Sequence, residues 1–299
     1  MAYELIYTSA ERGLKPGTHG FCTVACTRGM PPQTMQLLEA MSAYKNLYGV
    51  HEASNGAEPI AWSHVISNLV GRKVSVLSRV GATSPDHTGR SNKLAHHVVL
   101  SAMEHPVGGP AWLSSQPGFF MDSWEGAPRY IDGQKVVPKE DFNAGPAVAW
   151  EAVTGNAAYA ALLPKLYLEN PEGIVTLVYA AGTDMLPLIA ESIALLDAAR
   201  RWRVTYNTYF VSQAAGSTCA WRCCVADSEA HREALRVRRG TVIDLTGALP
   251  PVPEGELAER ARSGVSESAV VPEAPRKPSN FVLMSNRNIN QLNLKPRIK

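Results

Sequence analysis

The chain has 299 residues, 45% of them hydrophobic and 19% charged, with a formal net charge of +2. That is enough apolar material for one large domain or two ordinary ones. The near-neutral balance excludes a global field that steers the whole chain to nucleic acid or a membrane surface.

The first strand is expected at Tyr3–Tyr7. After a turn-rich link, Arg12 to Gly20, the run FCTVACT (Phe21 to Thr27) reads as a second strand, with Cys22, Val24 and Cys26 on one face by period-two alternation. Gly29-Met-Pro-Pro32 ends it, and a helix starts near Pro32 with Met35, Leu38 and Met41 as its apolar stripe. Ile60–Ser67 and Lys73–Val80, joined through Gly71-Arg72, read as an antiparallel hairpin. Asn92–Ala102 fits a strand or a helix opened by Ser91 or Asn92, and strand is the preferred reading. Residues 104–146 are rich in Pro and Gly with scattered aromatics, which suggests a long connection packing its own rings on the body. Ala147–Leu162 is helical but for a break at Gly155-Asn156.

The clearest unit follows. Gly173–Ala180 is a buried strand, Gly182-Thr-Asp184 a turn and N-cap, and Met185–Arg201 a helix with Leu186, Ile189, Ile193 and Leu196 on one face. Trp202–Phe210 and Cys219–Ala226 then form a strand pair, which makes one β-α-β unit. Ala230–Val237 is a short helix and Thr241–Leu245 a last strand. From Pro250 the chain is Pro-rich and basic. Residues 251–299 hold eight Lys/Arg against five Asp/Glu, and from Pro275 onward there are six bases and no acid. Such a segment cannot bury enough apolar area to offset an ordering cost of roughly 1–2 kcal/mol per residue. Its one apolar run, Phe281-Val282-Leu283-Met284, reads as a docking peptide.

The start of the chain has Glu4 where a signal peptide carries bases, and no stretch approaches the ~18 apolar residues of a membrane helix. Five cysteines in two clusters lack the dense, even framework of a secreted domain. These features point to the cytoplasm.

Chemistry has few places to reside. Cys22-x₃-Cys26 and Cys219-x₃-Cys223 nominally pair for zinc, but positions i and i+4 on a strand stand about 13 Å apart at ~3.3 Å per residue, so buried free thiols are expected. His51-Glu52-Ala-Ser-Asn55 has Asn where a zincin helix needs its second His. The turn Ala181–Asp184 reads as a helix cap, because one glycine and an aspartate make a poor phosphate cradle. The aromatics from Trp202 to Phe210 read as core plus a solvated face rather than a stacking platform for nucleic acid. The most polar stretch is Asp86-His87-Thr88-Gly89-Arg90-Ser91-Asn92-Lys93, followed by His96-His97. Asp86, His87 and His96 are the candidates for acid–base work, and Arg90 and Asn92 for binding. The same groups equally suit tying a loop to a neighbouring strand.

Certain short motifs carry a resemblance. Tyr7-Thr-Ser-Ala10, Arg12-Gly-Leu14, Pro16-Gly17, Gly20-Phe21 and Thr27-Arg-Gly-Met30, then Asp86, Gly89-Arg90, Asn92 and His96, resemble the N-terminal domain of bacterial GTPase-associated adaptor proteins. Arg203-Val-Thr-Tyr-Asn-Thr-Tyr209 is similar to a Thr-Tyr strand of that family. The likeness spans about residues 3–105, and more loosely reaches about 225. It implies a protein–protein adaptor coupled to GTPase or other NTPase modules in bacterial conflict systems, and it brings no catalytic residue. Cys22 and Cys26, and the basic tail, depart from the pattern.

The combined expectation is an α+β fold: a mostly antiparallel mixed sheet, several helices, one β-α-β unit and a disordered basic tail. The body covers 1–249, with a subdivision near 104–146 left open, and the tail 250–299. The expected role is a non-enzymatic adaptor binding protein partners, with no cofactor, no metal and no membrane. The tail suits an acidic partner; a homo-oligomer is left open, and nucleic acid is not expected at the body. The alternatives are an enzyme using Asp86, Arg90 and His96 on a phosphorylated or nucleotide substrate, or a structural subunit docking through Phe281, Val282, Leu283 and Met284.

Overall fold

The computed structural model describes residues 2–48, 58–69, 71–139, 142–212, 218–237 and 240–264. The tail beyond 264, with Phe281–Met284, and the His51–Asn55 stretch lie outside the described residues.

The first half is an antiparallel sheet of β1 (Tyr3–Ala10), β2 (Gly20–Thr27), β3 (Ala61–Leu69), β4 (Arg72–Thr83) and β5 (Asn92–Leu100), in the order β3-β4-β5-β1-β2. The 92–102 segment is thus a strand as far as Leu100, and a 3₁₀ turn begins at Ala102. Alternation sends Leu5, Val76 and Val99 to one face, under Met35 and Leu38 of α1 (Pro32–Met41). Leu77, Val98 and Leu100 go to the other face, where Leu113 and Phe119 of the following connection cover them. Fully burying one such side chain contributes about 1.5–3 kcal/mol.

The expected common face of Cys22, Val24 and Cys26 is not found. Ile6 opposes Ala25 while Tyr7 opposes Thr23, so Val24 is an extra residue in β2. A bulge of this kind inverts the alternation beyond it. Cys26 therefore packs with Leu5 beneath α1, and Cys22 packs with Ile6 and Leu94 on the opposite side.

The Pro/Gly-rich connection carries more structure than expected: α2 (Gly109–Ser114) and an edge strand β6 (Arg129–Ile131) parallel to β2. Its rings do pack on the sheet, Phe119 at 4% exposure and Phe120 edge-on to both Trp62 and His96.

In the second half, α3 (Val148–Thr154) stops at Gly155, whose φ of +78° suits a helix-terminating position. A 3₁₀ turn at 157–161 leads into α4 (Leu162–Glu169). Then come β7 (Val175–Tyr179) and α5 (Met185–Ala194), the latter capped by Asp184, whose carboxylate accepts from the Leu186 N–H at 3.1 Å. The expected helix through Arg201 is broken. Asp197 opens a separate turn, α6 (Ala198–Arg201), by accepting from the Arg200 N–H at 3.0 Å. Arg201 folds back, and its guanidinium donates to the carbonyls of Leu196, Ala194 and Val107. Those include the terminal carbonyls that α5 leaves open.

The strands β8 (Tyr206–Asn207), β9 (Trp221–Val225) and β10 (Thr241–Asp244), with α7 (Glu229–Val237) between the last two, complete a parallel set β10-β7-β9-β8. The strand pair expected on either side of residues 213–217 is therefore parallel, and helices make the crossovers from β7 to β8 (α5, α6) and from β9 to β10 (α7). Trp202, Tyr206 and Tyr209 are all buried, so both sides of that strand are core. Antiparallel pairing of β8 with β3 fuses the halves into one ten-stranded mixed sheet.

The body continues past the expected limit at 249. Helix α8 (Glu256–Ser263) buries Ala258 and Ala261, and the Ala261 carbonyl accepts from the Ala147 N–H at 2.8 Å. Ala258, Ala261 and the half-buried Leu257 face inward among Glu and Arg. Composition therefore gives no hint of burial. No helix among the described residues is long and apolar enough to cross a membrane.

Candidate functional site

The polar motif lies where the β4–β5 loop meets the ends of β1 and β2. Gly89 has φ +77°, a conformation that side chains disfavour, and it lets the loop close on Asp86. One Asp86 oxygen accepts from the Thr88 N–H at 2.9 Å, the Thr88 hydroxyl at 2.6 Å and the Arg90 N–H at 3.1 Å. The other accepts from the Ser9 hydroxyl at 2.8 Å. Bonds from Thr88 and Ser9 hold the Asp86 carboxyl well below the usual carboxylate range. It is an anion at neutral pH and a weak base, locked in its own turn.

Asn92 acts as a clasp. Its amide oxygen accepts from the Ser9 N–H at 3.1 Å and the Lys93 N–H at 2.8 Å, which extends the β1–β5 ladder by a side chain, while the Thr8 hydroxyl, 3.2 Å from that oxygen, gives its proton to the nearer Lys93 carbonyl at 2.8 Å.

His96 and His97 are fully buried and point to opposite faces, as neighbours on a strand must. The Met121 N–H donates to His96 Nδ1 at 2.9 Å, so the other nitrogen, Nε2, carries the proton and donates to Glu4 at 3.0 Å. Glu4 also pairs with Lys135 at 3.0 Å. Burial alone would raise the Glu4 pKa, but bonds from His96 and Lys135 hold it below the ordinary value. Ser42 gives its proton to the Leu38 carbonyl, so it accepts from His97 Nε2 at 2.9 Å, and His97 Nδ1 accepts from Ser78 at 2.7 Å. Burial pushes the His97 pKa down to about 3.

His64, which the sequence did not single out, repeats the pattern. It donates to the Val204 carbonyl at 2.7 Å and accepts from Ser75 at 3.0 Å, with its pKa pushed down by burial to about 4. All three rings are neutral and doubly bonded.

Asp86, Arg90 and His96 therefore do not meet at one opening. His96 lies beneath the Phe119–Met121 segment, while Arg90 and His87 are exposed on the loop. Both line an open hollow of about 590 Å³ together with Asp86, Ser9, Glu11, His19 and Phe21, so of the predicted trio only His96 is absent from it. Phe21 is 49% exposed, stacked on Tyr7 and covered by the Lys93 ammonium at 5.0 Å. Alternation alone does not pick it out, because its exposure follows from its place at the open start of β2.

The five cysteines are free and buried. Burial pushes Cys219 up to about 12 and Cys224 up to about 11, so both are thiols rather than thiolates. Among the described residues no group of three or more His, Cys, Asp or Glu is placed to hold a metal ion.

Two family models match along this chain. Residues 1–132 match the type 2 N-terminal domain of GTPase-associated protein 1, and residues 148–247 match its middle domain. The chain belongs to the GTPase-associated protein 1 family. The N-terminal match covers β1 to β6 and holds the whole polar motif, and the middle-domain match runs from α3 to β10. Helix α8 lies beyond both matches. Neither a curated protein nor a solved structure matches the chain.

Proposed function

We propose that this chain is a non-enzymatic adaptor of a GTPase-linked system, and that the Arg90 face of its N-terminal domain contacts the partner protein. One observation carries the reading: intramolecular bonds engage every reactive group of the motif except those on the exposed loop. Asp86 accepts four hydrogen bonds and His96 uses both ring nitrogens, so neither is poised for turnover. Arg90, His87 and Phe21 instead offer a cation, an imidazole and an aromatic ring to solvent, a composition suited to an interface. The family name supplies the GTPase connection. Five free thiols fit a reducing cytoplasm.

The test is affinity capture from the native host with the full chain. Wild type is expected to retain a GTPase or related NTPase component, and Arg90→Glu to lower its recovery at least tenfold with an unchanged melting temperature. Equal recovery by the two proteins rules this face out. The tail, with its suggested acidic partner and the Phe281–Met284 peptide, is tested separately by ending the chain after residue 264. A deletion from residue 251 would also remove α8 and uncover the surface under Ala258 and Ala261.

A further inference from the structure

A second opening, unrelated to the Arg90 loop, lies where the two domains meet. It is a hollow of about 540 Å³, within the size range of small-molecule sites. Its walls come from Trp62 on β3, Arg79 on β4, Phe120 of the connection and the Gly182–Asp184 turn before α5.

Arg79 is its unusual member. The residue is only 8% exposed, yet among the described residues one of its five N–H donors finds an acceptor, the Met121 carbonyl at 3.4 Å. Its guanidinium also lies over the Trp62 ring at 5.5 Å. No carboxylate forms an ion pair with it among the described residues. Arg201 provides the contrast within the same fold, since at 3% exposure it donates to three carbonyls. A buried cation with so few acceptors is costly unless an anion completes it. Burial accordingly pulls the Arg79 pKa down, with Asp122 acting in the other direction.

The rim limits which anion fits. Glu58, Asp122 and Asp184 also line the hollow. Glu58 is turned to the Leu47 and Tyr48 N–H groups, and Asp184 to that of Leu186. Asp122 is exposed and accepts from Ser123. A dianion such as phosphate would face all three negative charges, whereas a monoanion forked onto Arg79 minimises that repulsion. Trp62 and Phe120, edge-on at 5.5 Å, form an apolar wall beside the guanidinium.

We infer that this hollow binds a single carboxylate carried on an apolar, preferably aromatic, body, with the carboxylate paired to Arg79 and the body against Trp62 and Phe120. Two sources offer that chemistry: a free aromatic acid, or a chain end whose last residue is apolar.

Saturation-transfer NMR on the full chain distinguishes them. The probes are phenylacetate, its neutral analogue phenylacetamide, inorganic phosphate, and a short peptide ending in phenylalanine as the free acid or the amide. At least one of the two carboxylate probes is expected to bind saturably, phosphate at least tenfold more weakly, and the amides not at all. Binding by the peptide acid alone assigns the site to a chain end, and binding by phenylacetate alone assigns it to a free acid. Arg79→Lys, which keeps the charge but loses the fork, should weaken binding about tenfold. Asp122→Asn, a surface change that leaves the fold intact, should strengthen it two- to threefold. Amides that bind as well as acids, or affinity indifferent to both substitutions, would overturn the assignment, as would the absence of saturable binding by either carboxylate probe.

Discussion

The two domains share one sheet but fill their interiors differently. Around β7, β9 and α5 the core is almost wholly apolar: Leu163, Leu177, Ile189, Ile193, Trp221 and Cys223 are each at most 1% exposed, and the Trp150 indole finds its acceptors in the Leu188 carbonyl and the Ser192 hydroxyl. Around β4 and β5, both faces include buried polar groups. His97 and Ser78 lie on the α1 side, and His64, Ser75, His96, Glu4 and Arg79 on the other. The parallel half is held mainly by packed volume, and its buried Cys219 and Cys224 stay thiols well above neutral pH. The antiparallel half adds a set of hydrogen bonds that depend on protonation. Stability in the first should respond to truncation, and in the second to pH.

The largest effect is expected from truncation in the parallel half. Trp150→Ala removes a fully buried ring and the two indole hydrogen bonds, while the backbone N–H groups of 149 and 150 keep their bonds to Glu191. A loss of about 3–5 kcal/mol is expected in urea denaturation at pH 7. A loss below about 1 kcal/mol would mean that the middle domain is not held by packing.

Acid should act on the other half. The His64 pKa falls from 6.5 to about 4 on folding and that of His97 to about 3. In that range the unfolded chain binds more protons than the folded one, so stability falls as pH falls from about 6.5 towards 4, and it is constant above. His64 alone accounts for a loss on the order of 3 kcal/mol across that window. Glu4 acts in the same sense at lower pH, because its carboxylate is held below its ordinary pKa by His96 and Lys135 and loses those bonds once protonated. Urea denaturation between pH 7 and pH 5 measures the slope. His97→Gln, which can bond both serines but does not titrate, should make that slope shallower. An unchanged slope would remove the buried histidines from the explanation.

The same contrast explains which parts of the structure could be read from residues. Long strands with clean alternation, such as Lys73–Val80, and a helix with a four-residue apolar stripe, such as α5, declare themselves through periodicity. The β2 bulge does not, because one extra residue, Val24, leaves composition unchanged and reverses the placing of Cys22 against Cys26. The break before α6 depends on Asp197 capping a new turn and on Arg201 turning back to α5, contacts between residues that a single-helix pattern places on a solvated end. At the polar motif, the stretch 86–97 was conspicuous from its residue types, and alternation correctly set His96 and His97 apart. What remained hidden was the partners. Glu4 and Met121 come from distant segments, and Arg79 reads in sequence as one more solvent-facing strand residue.

The smallest of these effects tests whether the motif is architectural. Asn92 gathers the Ser9 and Lys93 N–H groups through a single oxygen, at the point where the β1–β5 pairing ends. Asn92→Ala leaves those donors to water or to nothing and should cost about 1–2 kcal/mol. Asn92→Asp keeps the acceptor and should recover most of that loss. If the oxygen serves only to hold β1 to β5, the two variants will differ in stability while capturing the same partner protein in equal amount per folded molecule. If Asn92 instead touches the partner, Asn92→Asp will be as stable as wild type and fail in capture. The first outcome is expected, because the Ser9 contact ties Asn92 into the edge of the β1–β5 pairing, whereas Arg90 and His87 are exposed on the loop.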